Sequence, residues 1–145
     1  MMTCSMKQER NILKKRFVDT NIFIYTLFSI DKNKQNQCVT LFKQAAEGKV
    51  ILWTTVWVIA EIIWFLQKQN IPNKQTKQVI TRIIATKGLE VADKQWLLEV
   101  LDLWEESIDF IDIVNLSLAR AHSIIEGYSY DKDLDTLNWF KRSIP

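Results

Sequence analysis

Along the chain, apolar positions follow two rhythms: short solid runs bounded by turn residues, and longer stretches with the three-to-four residue spacing of one helix face. RFVD at residues 16–19 predicts a short strand, and NIFIY after the Thr20-Asn21 break predicts a turn into a helix. Residues 34–47 put Cys38, Leu41, Phe42, Ala45 and Ala46 on one helical face, with Gly48 as the stop. VILW at residues 50–53 predicts a buried strand, and Thr54 or Thr55 is a suitable cap for the helix after it. Pro72 separates that helix from another at residues 74–87, which Gly88 ends.

The second half repeats the pattern. LEVA at residues 89–92 predicts a strand, residues 94–106 a helix with Leu97, Leu98, Leu101 and Trp104 on one face, and residues 110–125 another helix. YSY at residues 128–130 predicts a fourth strand, and RSI at residues 142–144 an edge strand. Strands alternating with helices imply an α/β domain whose parallel sheet is covered on both faces.

Composition sets the scale of this architecture. A chain of 145 residues, 48% apolar and 25% charged, fits one globular domain, and three glycines and two prolines leave no room for a flexible linker. The expected division is a flexible basic N-terminal extension at residues 1–15 and one domain at residues 16–145. No apolar run reaches the roughly 18 residues of a membrane span, and the start MMTCSMKQERNILKKRF has no apolar signal core. Cys4 and Cys38 have no metal-knuckle spacing, so the expectation is reduced thiols in a cytoplasmic protein with no membrane contact.

Net charge is only +2, but it is unevenly spread. Lys7, Arg10, Lys14, Lys15 and Arg16 crowd the start, and Lys68, Lys74, Lys77, Arg82 and Lys87 form a second basic stretch with no acid. Residues 90–112 are acidic apart from Lys94. This polarity suits a phosphate backbone approaching one side, although solvated helix faces produce such runs too.

One residue breaks the apolar rhythm outright. In VWVIAEIIWFL, residues 56–66, Glu61 is the single polar side chain among ten apolar ones. An unpaired carboxylate is costly in an apolar interior, so Glu61 requires a wet stripe, a basic partner or a cation. Ligands of open parallel sheets gather at the carboxyl ends of the strands, which is where Asp19 and Asp131 fall. Asp112 lies in the first turn of the helix leading to the fourth strand. Four carboxylates from four segments can therefore meet at one sheet edge, where they would stay ionised together only around hard cations such as Mg²⁺ or Mn²⁺. Each also has a local alternative: Asp19 as a helix cap, Asp112 as a first-turn acid, Asp131 as a turn residue.

Other chemistries lack their residues. The single histidine, His122, excludes a histidine cluster for zinc, and Gly48, Gly88 and Gly127 write neither phosphate loop. No GxSxG elbow occurs. The DxD pattern of haloacid-dehalogenase-like phosphatases fails at Asn21, and a response-regulator receiver would need paired acids and a strand-end lysine that are missing.

FVDTNIFIY, TTVWVIAEIIWFL, SIDFIDIVNLSLA and YSYDKDLD, in that order, resemble the four acidic motifs of PIN domains, and most closely those of small VapC-like toxin ribonucleases. The resemblance covers residues 16–145 and implies a three-layer α/β/α sandwich around a mostly parallel sheet. It places the family's acids at Asp19, Glu61, Asp112 and Asp131, holding Mg²⁺ or Mn²⁺, with Asn21 and Ser129 in support. Asp109 competes with Asp112 for the third position because both can face the site from one helix. The implied activity is metal-dependent endoribonuclease cleavage by the toxin of a toxin-antitoxin pair; the alternative is a catalytically weak PIN-like module that binds RNA or protein. The implied partners are an RNA substrate, a second copy in a homodimer and an antitoxin protein. Of the six tryptophans, Trp57 and Trp64 share a helix face that can meet such a partner, while core packing is expected for most of the rest.

Overall fold

The longer apolar runs of the sequence become elements whose buried side their own periodicity selects. The computed structural model describes residues 13–145, so residues 1–12 of the basic extension, with Cys4, Lys7 and Arg10, lie outside the described residues. The chain begins with β1 (Lys15–Phe17), then α1 (Thr20–Leu27) and α2 (Lys32–Ala46). It continues through β2 (Ile51–Thr54), α3 (Val56–Lys68), α4 (Asn73–Ile84) and β3 (Leu89–Val91). The remainder is α5 (Lys94–Leu103), α6 (Phe110–Ala121), β4 (Glu126–Tyr128), a 3-10 turn at Lys132–Thr136 and β5 (Lys141–Ser143).

Every strand pairing among the described residues is parallel. β2 is central, with Phe17 opposite Trp53 on one side and Trp53 opposite Glu90 on the other. Parallel neighbours need a crossover between them, and α1–α2 and α3–α4 supply the two. The sequence reading is corrected at the fourth strand. It does not extend the sheet at residues 128–130 but forms two residues earlier, at Glu126–Tyr128, and pairs with β5 as a separate two-stranded parallel ribbon. The reason is local: Gly127 sits against the Phe140 ring, and this pairing is carried by two short segments close in sequence.

Three helices are also shorter than their apolar spacing suggests, and α4 ends at Ile84 rather than at Gly88, with the Ala85 N–H on the Thr81 carbonyl and the Thr86 N–H on the Ile83 carbonyl. α5 stops at Leu103, whose successor Trp104 is extended and turns its indole Nε1–H back to the Ile108 carbonyl at 2.7 Å. α6 stops at Ala121 because Ser123 adopts φ +63 and the Ile124 N–H closes onto the Ala119 carbonyl. The α6 end is a backbone C-terminal closure, whereas the α5 end is held by the Trp104 side chain.

The core is built from the helices with β2 and β3, while β1, β4 and β5 contribute no buried residue to it. α3 buries Val58, Ile59, Ile62, Ile63 and Leu66, a spacing that keeps one continuous apolar face inward. They meet Leu52 of β2, Ile80 and Ile84 of α4, Leu97 and Val100 of α5, and Ile113 of α6 in one cluster. Each such side chain contributes roughly 1.5–3 kcal/mol on leaving water. Trp104 is fully buried and packs edge-on against Phe110, with ring centroids 5.2 Å apart. Trp53, Trp96 and Trp139 are half-buried, whereas Trp57 and Trp64 are exposed. No helix among the described residues is long and apolar enough to cross a membrane.

Candidate active site

The site begins where β1 leaves the sheet. Val18 is buried, its N–H donates to the Trp53 carbonyl at 2.9 Å, and its own carbonyl accepts the Thr54 hydroxyl at 3.0 Å. Backbone pinned from both sides delivers the next residue, Asp19, at the carboxyl end of the strand. Asp19 caps α1, its carboxylate accepting the Thr20 N–H at 2.7 Å, and remains exposed. The local alternative and the site reading therefore coexist in one residue, since a capping carboxylate retains a free oxygen lone pair.

Glu61 stands on the outward side of α3, opposite the buried face, and Thr55 rather than Thr54 caps that helix. Its carboxylate accepts the Thr20 hydroxyl at 2.6 Å. This bond spans 41 positions of sequence and joins the first and second acidic segments directly. Asp19, Thr20, Asn21, Tyr25, Glu61 and Phe65 line one open cleft of about 390 Å³.

A second acidic group gathers at the start of α6. Asp109 caps that helix through the Ile111 N–H at 3.4 Å, while Asp112 sits half-buried in its first turn. Burial raises the Asp112 pKa above the ordinary carboxylate value, and the charges of Asp109 and Asp131 raise it further. The fourth acid departs from the sequence reading. Asp131 lies beyond the end of β4 and caps the 3-10 turn, accepting the Asp133 N–H at 2.9 Å, because its own N–H is turned onto the Ser129 hydroxyl at 3.0 Å. Arg142 secures the loop from both sides, with Nε and Nη2 on the two Asp135 oxygens at 2.9 and 2.8 Å and Nη1 on the Ser129 carbonyl at 3.0 Å. That ion pair lowers the Asp135 pKa.

The acids are thus brought together in two groups, Asp19 with Glu61 and Asp112 with Asp109 and Asp131. They are not brought together in one: among the described residues no three His, Cys, Asp or Glu side chains are close enough to hold a metal ion. Like charges repel at short range, so full convergence requires a counter-charge. None of the four acids has an ion-pair partner among the described residues, where the salt bridges are Lys15–Glu90, Lys49–Glu47 and Arg142–Asp135. Unneutralised carboxylate oxygens on separate segments are the donor chemistry of a hard divalent cation.

Support for the acids is distributed differently from the sequence reading. Ser129 does hold the Asp131 backbone, but Asn21 makes no side-chain hydrogen bond among the described residues, and Thr20 makes the linking contact instead. A hydroxyl residue at the first helical position, right after the strand-end acid, is the signal that points to it. The basic stretch is also reduced: Lys77 donates to the Trp104 carbonyl and Lys15 is paired with Glu90, while Lys68, Lys74 and Arg82 stay exposed.

A parallel α/β domain with two groups of acidic residues near the carboxyl ends of its strands presents the kind of edge at which ligands of such sheets bind. The chain belongs to the PIN domain family, whose model matches residues 16–139, and it has the family's α/β/α fold. PIN domains are generally nucleases. No curated protein matches the chain. Among solved structures it is similar to the crystal structure of VapBC2 from Rickettsia felis bound to a DNA fragment from their promoter. That likeness is at 13% identity, covers 90% of this chain and 98% of the other, and has a TM-score of 0.36.

Proposed function

We propose that this PIN domain is a divalent-metal-dependent endoribonuclease, the toxin of a toxin-antitoxin pair. The observation that carries the reading is the grouping of Asp112 with Asp109 and Asp131, which form no direct ion pair among the described residues; burial and then the charges of Asp109 and Asp131 disfavour the ionised Asp112. Asp19, Glu61, Asp112 and Asp131 would hold Mg²⁺ or Mn²⁺. When bound, such an ion supplies Lewis acidity toward the phosphodiester and toward water, and neutralises the acids.

The chain's own groups divide the remaining work. Glu61, oriented by the Thr20 hydroxyl, takes the proton of the attacking water. Water oxygen bonds to phosphorus as the 3′ oxygen leaves, so the products are a 5′ phosphate and a 3′ hydroxyl. Asp19 is fixed by the Val18 backbone and by its own cap, which spares it reorganisation during the reaction. Exposed Lys68, Lys74 and Arg82 bind flanking phosphates in a salt-sensitive manner. The antitoxin and the homodimer follow from the motif resemblance to VapC-like toxins.

The alternative, a catalytically weak PIN-like module that binds RNA or protein, is favoured by one observation: three acids are not gathered at one point among the described residues. One experiment separates the two. Mixed RNAs and matched single-stranded DNA are incubated with the full chain in Mg²⁺ or Mn²⁺, with a chelator control and mapping of cut ends. The nuclease reading expects chelator-sensitive RNA cleavage with 5′ phosphates, abolished by Asp19→Asn and slowed about 10²- to 10⁴-fold by Glu61→Gln. Asn is as good a helix cap as Asp, so circular dichroism should show the Asp19→Asn fold unchanged. A folded Asp19→Asn chain that still cuts, or a parent chain that never does, would sink the assignment.

A further inference from the structure

The outward face of α3 carries more than Glu61. Trp57, Glu61, Trp64 and Lys68 follow at intervals of four, three and four residues, which at about 100° per residue confines them to one stripe roughly 60° wide. All four are exposed, Trp57 at 60% and Trp64 at 58%, although the same helix buries five aliphatic side chains on its other side. Core packing therefore does not account for either indole. Lys68 holds its ammonium over the Trp64 ring, 3.7 Å from the centroid.

We propose that this stripe is a stacking platform for unpaired bases of a single RNA strand, with Trp57 and Trp64 each taking one base on either side of Glu61. The proposal rests on the RNA-directed reading above. Three features select this occupant. The first is position: Glu61 stands between the two indoles and is tied to Thr20 in the candidate cleft, so whatever lies across both rings passes over the reacting carboxylate. The substrate strand meets that requirement by definition.

The second feature is spacing. Seven residues of helix separate the indoles by about 10 Å along the axis. Neighbouring bases in a helical strand are stacked only about 3.4 Å apart, so bases on the two rings cannot be stacked on one another. A duplex, whose bases are paired and stacked inward, cannot present them; an extended single strand can. The third feature is charge. The Lys68 ammonium is a mobile cation at the end of a flexible stem, and in moving from the indole face to a phosphate it uncovers the ring for a base.

The test uses the full chain in the cleavage-silent Asp19→Asn background, with Mg²⁺ present and binding followed by fluorescence anisotropy of a labelled single-stranded RNA and its duplex. Trp57→Leu and Trp64→Leu should each weaken single-strand binding roughly 5- to 100-fold, the range of one lost base–aromatic stack. Trp57→Phe and Trp64→Phe should restore most of the affinity, and duplex binding should be weak and unmoved by any of the four. Lys68→Ala should lower the salt dependence by about one phosphate contact.

Leucine variants that bind the strand as the parent does would overturn the platform, as would equal affinity for duplex. So would leucine variants that change oligomeric state in light scattering without changing RNA affinity, since the stripe would then be a protein-docking face. The two readings fail separately. Tryptophan-dependent strand binding by a parent chain that never cuts removes the nuclease and leaves the platform; cleavage with tryptophan-independent binding does the reverse.

Discussion

Thr54→Val isolates the contact that places the first acid. Thr54 is completely buried at the end of β2, and its hydroxyl donates to the Val18 carbonyl at 3.0 Å, one residue before Asp19. Valine has nearly the same shape but no donor, so the Val18 carbonyl loses that partner in a site water does not reach. A buried acceptor deprived of its donor costs about 1–3 kcal/mol, offset in part by burying a methyl in place of a hydroxyl, which leaves a net loss of about 1–2 kcal/mol. For a chain of this size that lowers the thermal midpoint by roughly 3–8 °C. Thr54→Ser is the control, because it keeps the hydroxyl and loses a methyl at a similar cost of about 1 kcal/mol. Stability alone then separates the two variants poorly, but function separates them well. At a temperature well below both midpoints, Thr54→Val should cut RNA about 10- to 100-fold more slowly because the backbone before Asp19 is then pinned from one side only, whereas Thr54→Ser should cut at the parent rate. A valine variant with the parent's midpoint and rate would refute the reasoning.

Two further outcomes follow from the same structure. Asp112 has a folded-state pKa raised chiefly by burial and then by Asp109 and Asp131, so folding takes up a proton between its unfolded and folded pKa values and stability falls as pH rises through that window. In chelator, Asp112→Asn should gain stability over the parent above the window and match it below the unfolded value; urea midpoints with pH-independent differences would contradict this. Gly48 and Gly88 both adopt positive φ, +78 and +84, but a Cβ meets nothing at Gly48 and the Ala45 backbone carbonyl at Gly88. Gly48→Ala should cost about 1–2 kcal/mol, and Gly88→Ala a further ~1–3 kcal/mol, measured by urea unfolding.

Much of the fold was legible because burial imposes a period that the residues cannot hide. Val58, Ile59, Ile62, Ile63 and Leu66 identify both the helix and its inward face, and Gly48 with its positive φ closes α2 as its position suggests. Helix ends were less legible: the stops after Leu103 and Ala121 depend on the Trp104–Ile108 and Ile124–Ala119 hydrogen bonds, whose partners no local pattern names. The separate β4–β5 ribbon escaped for a similar reason, since short strands of mixed polarity carry no instruction about which edge they pair.

By itself, the sequence determined the α/β alternation, the four acidic segments and their order, and the inconsistency of Glu61 with an all-apolar helix. These follow from side-chain chemistry and spacing along one chain. Only the tertiary structure decided that Thr20 joins the first acid's helix to Glu61, that Asp131 belongs to a turn clamped by Arg142, and that Trp57 and Trp64 face solvent. Each of those depends on which distant segments meet, and hydrogen bonds and exposure across 41 residues are set by packing rather than by local propensity.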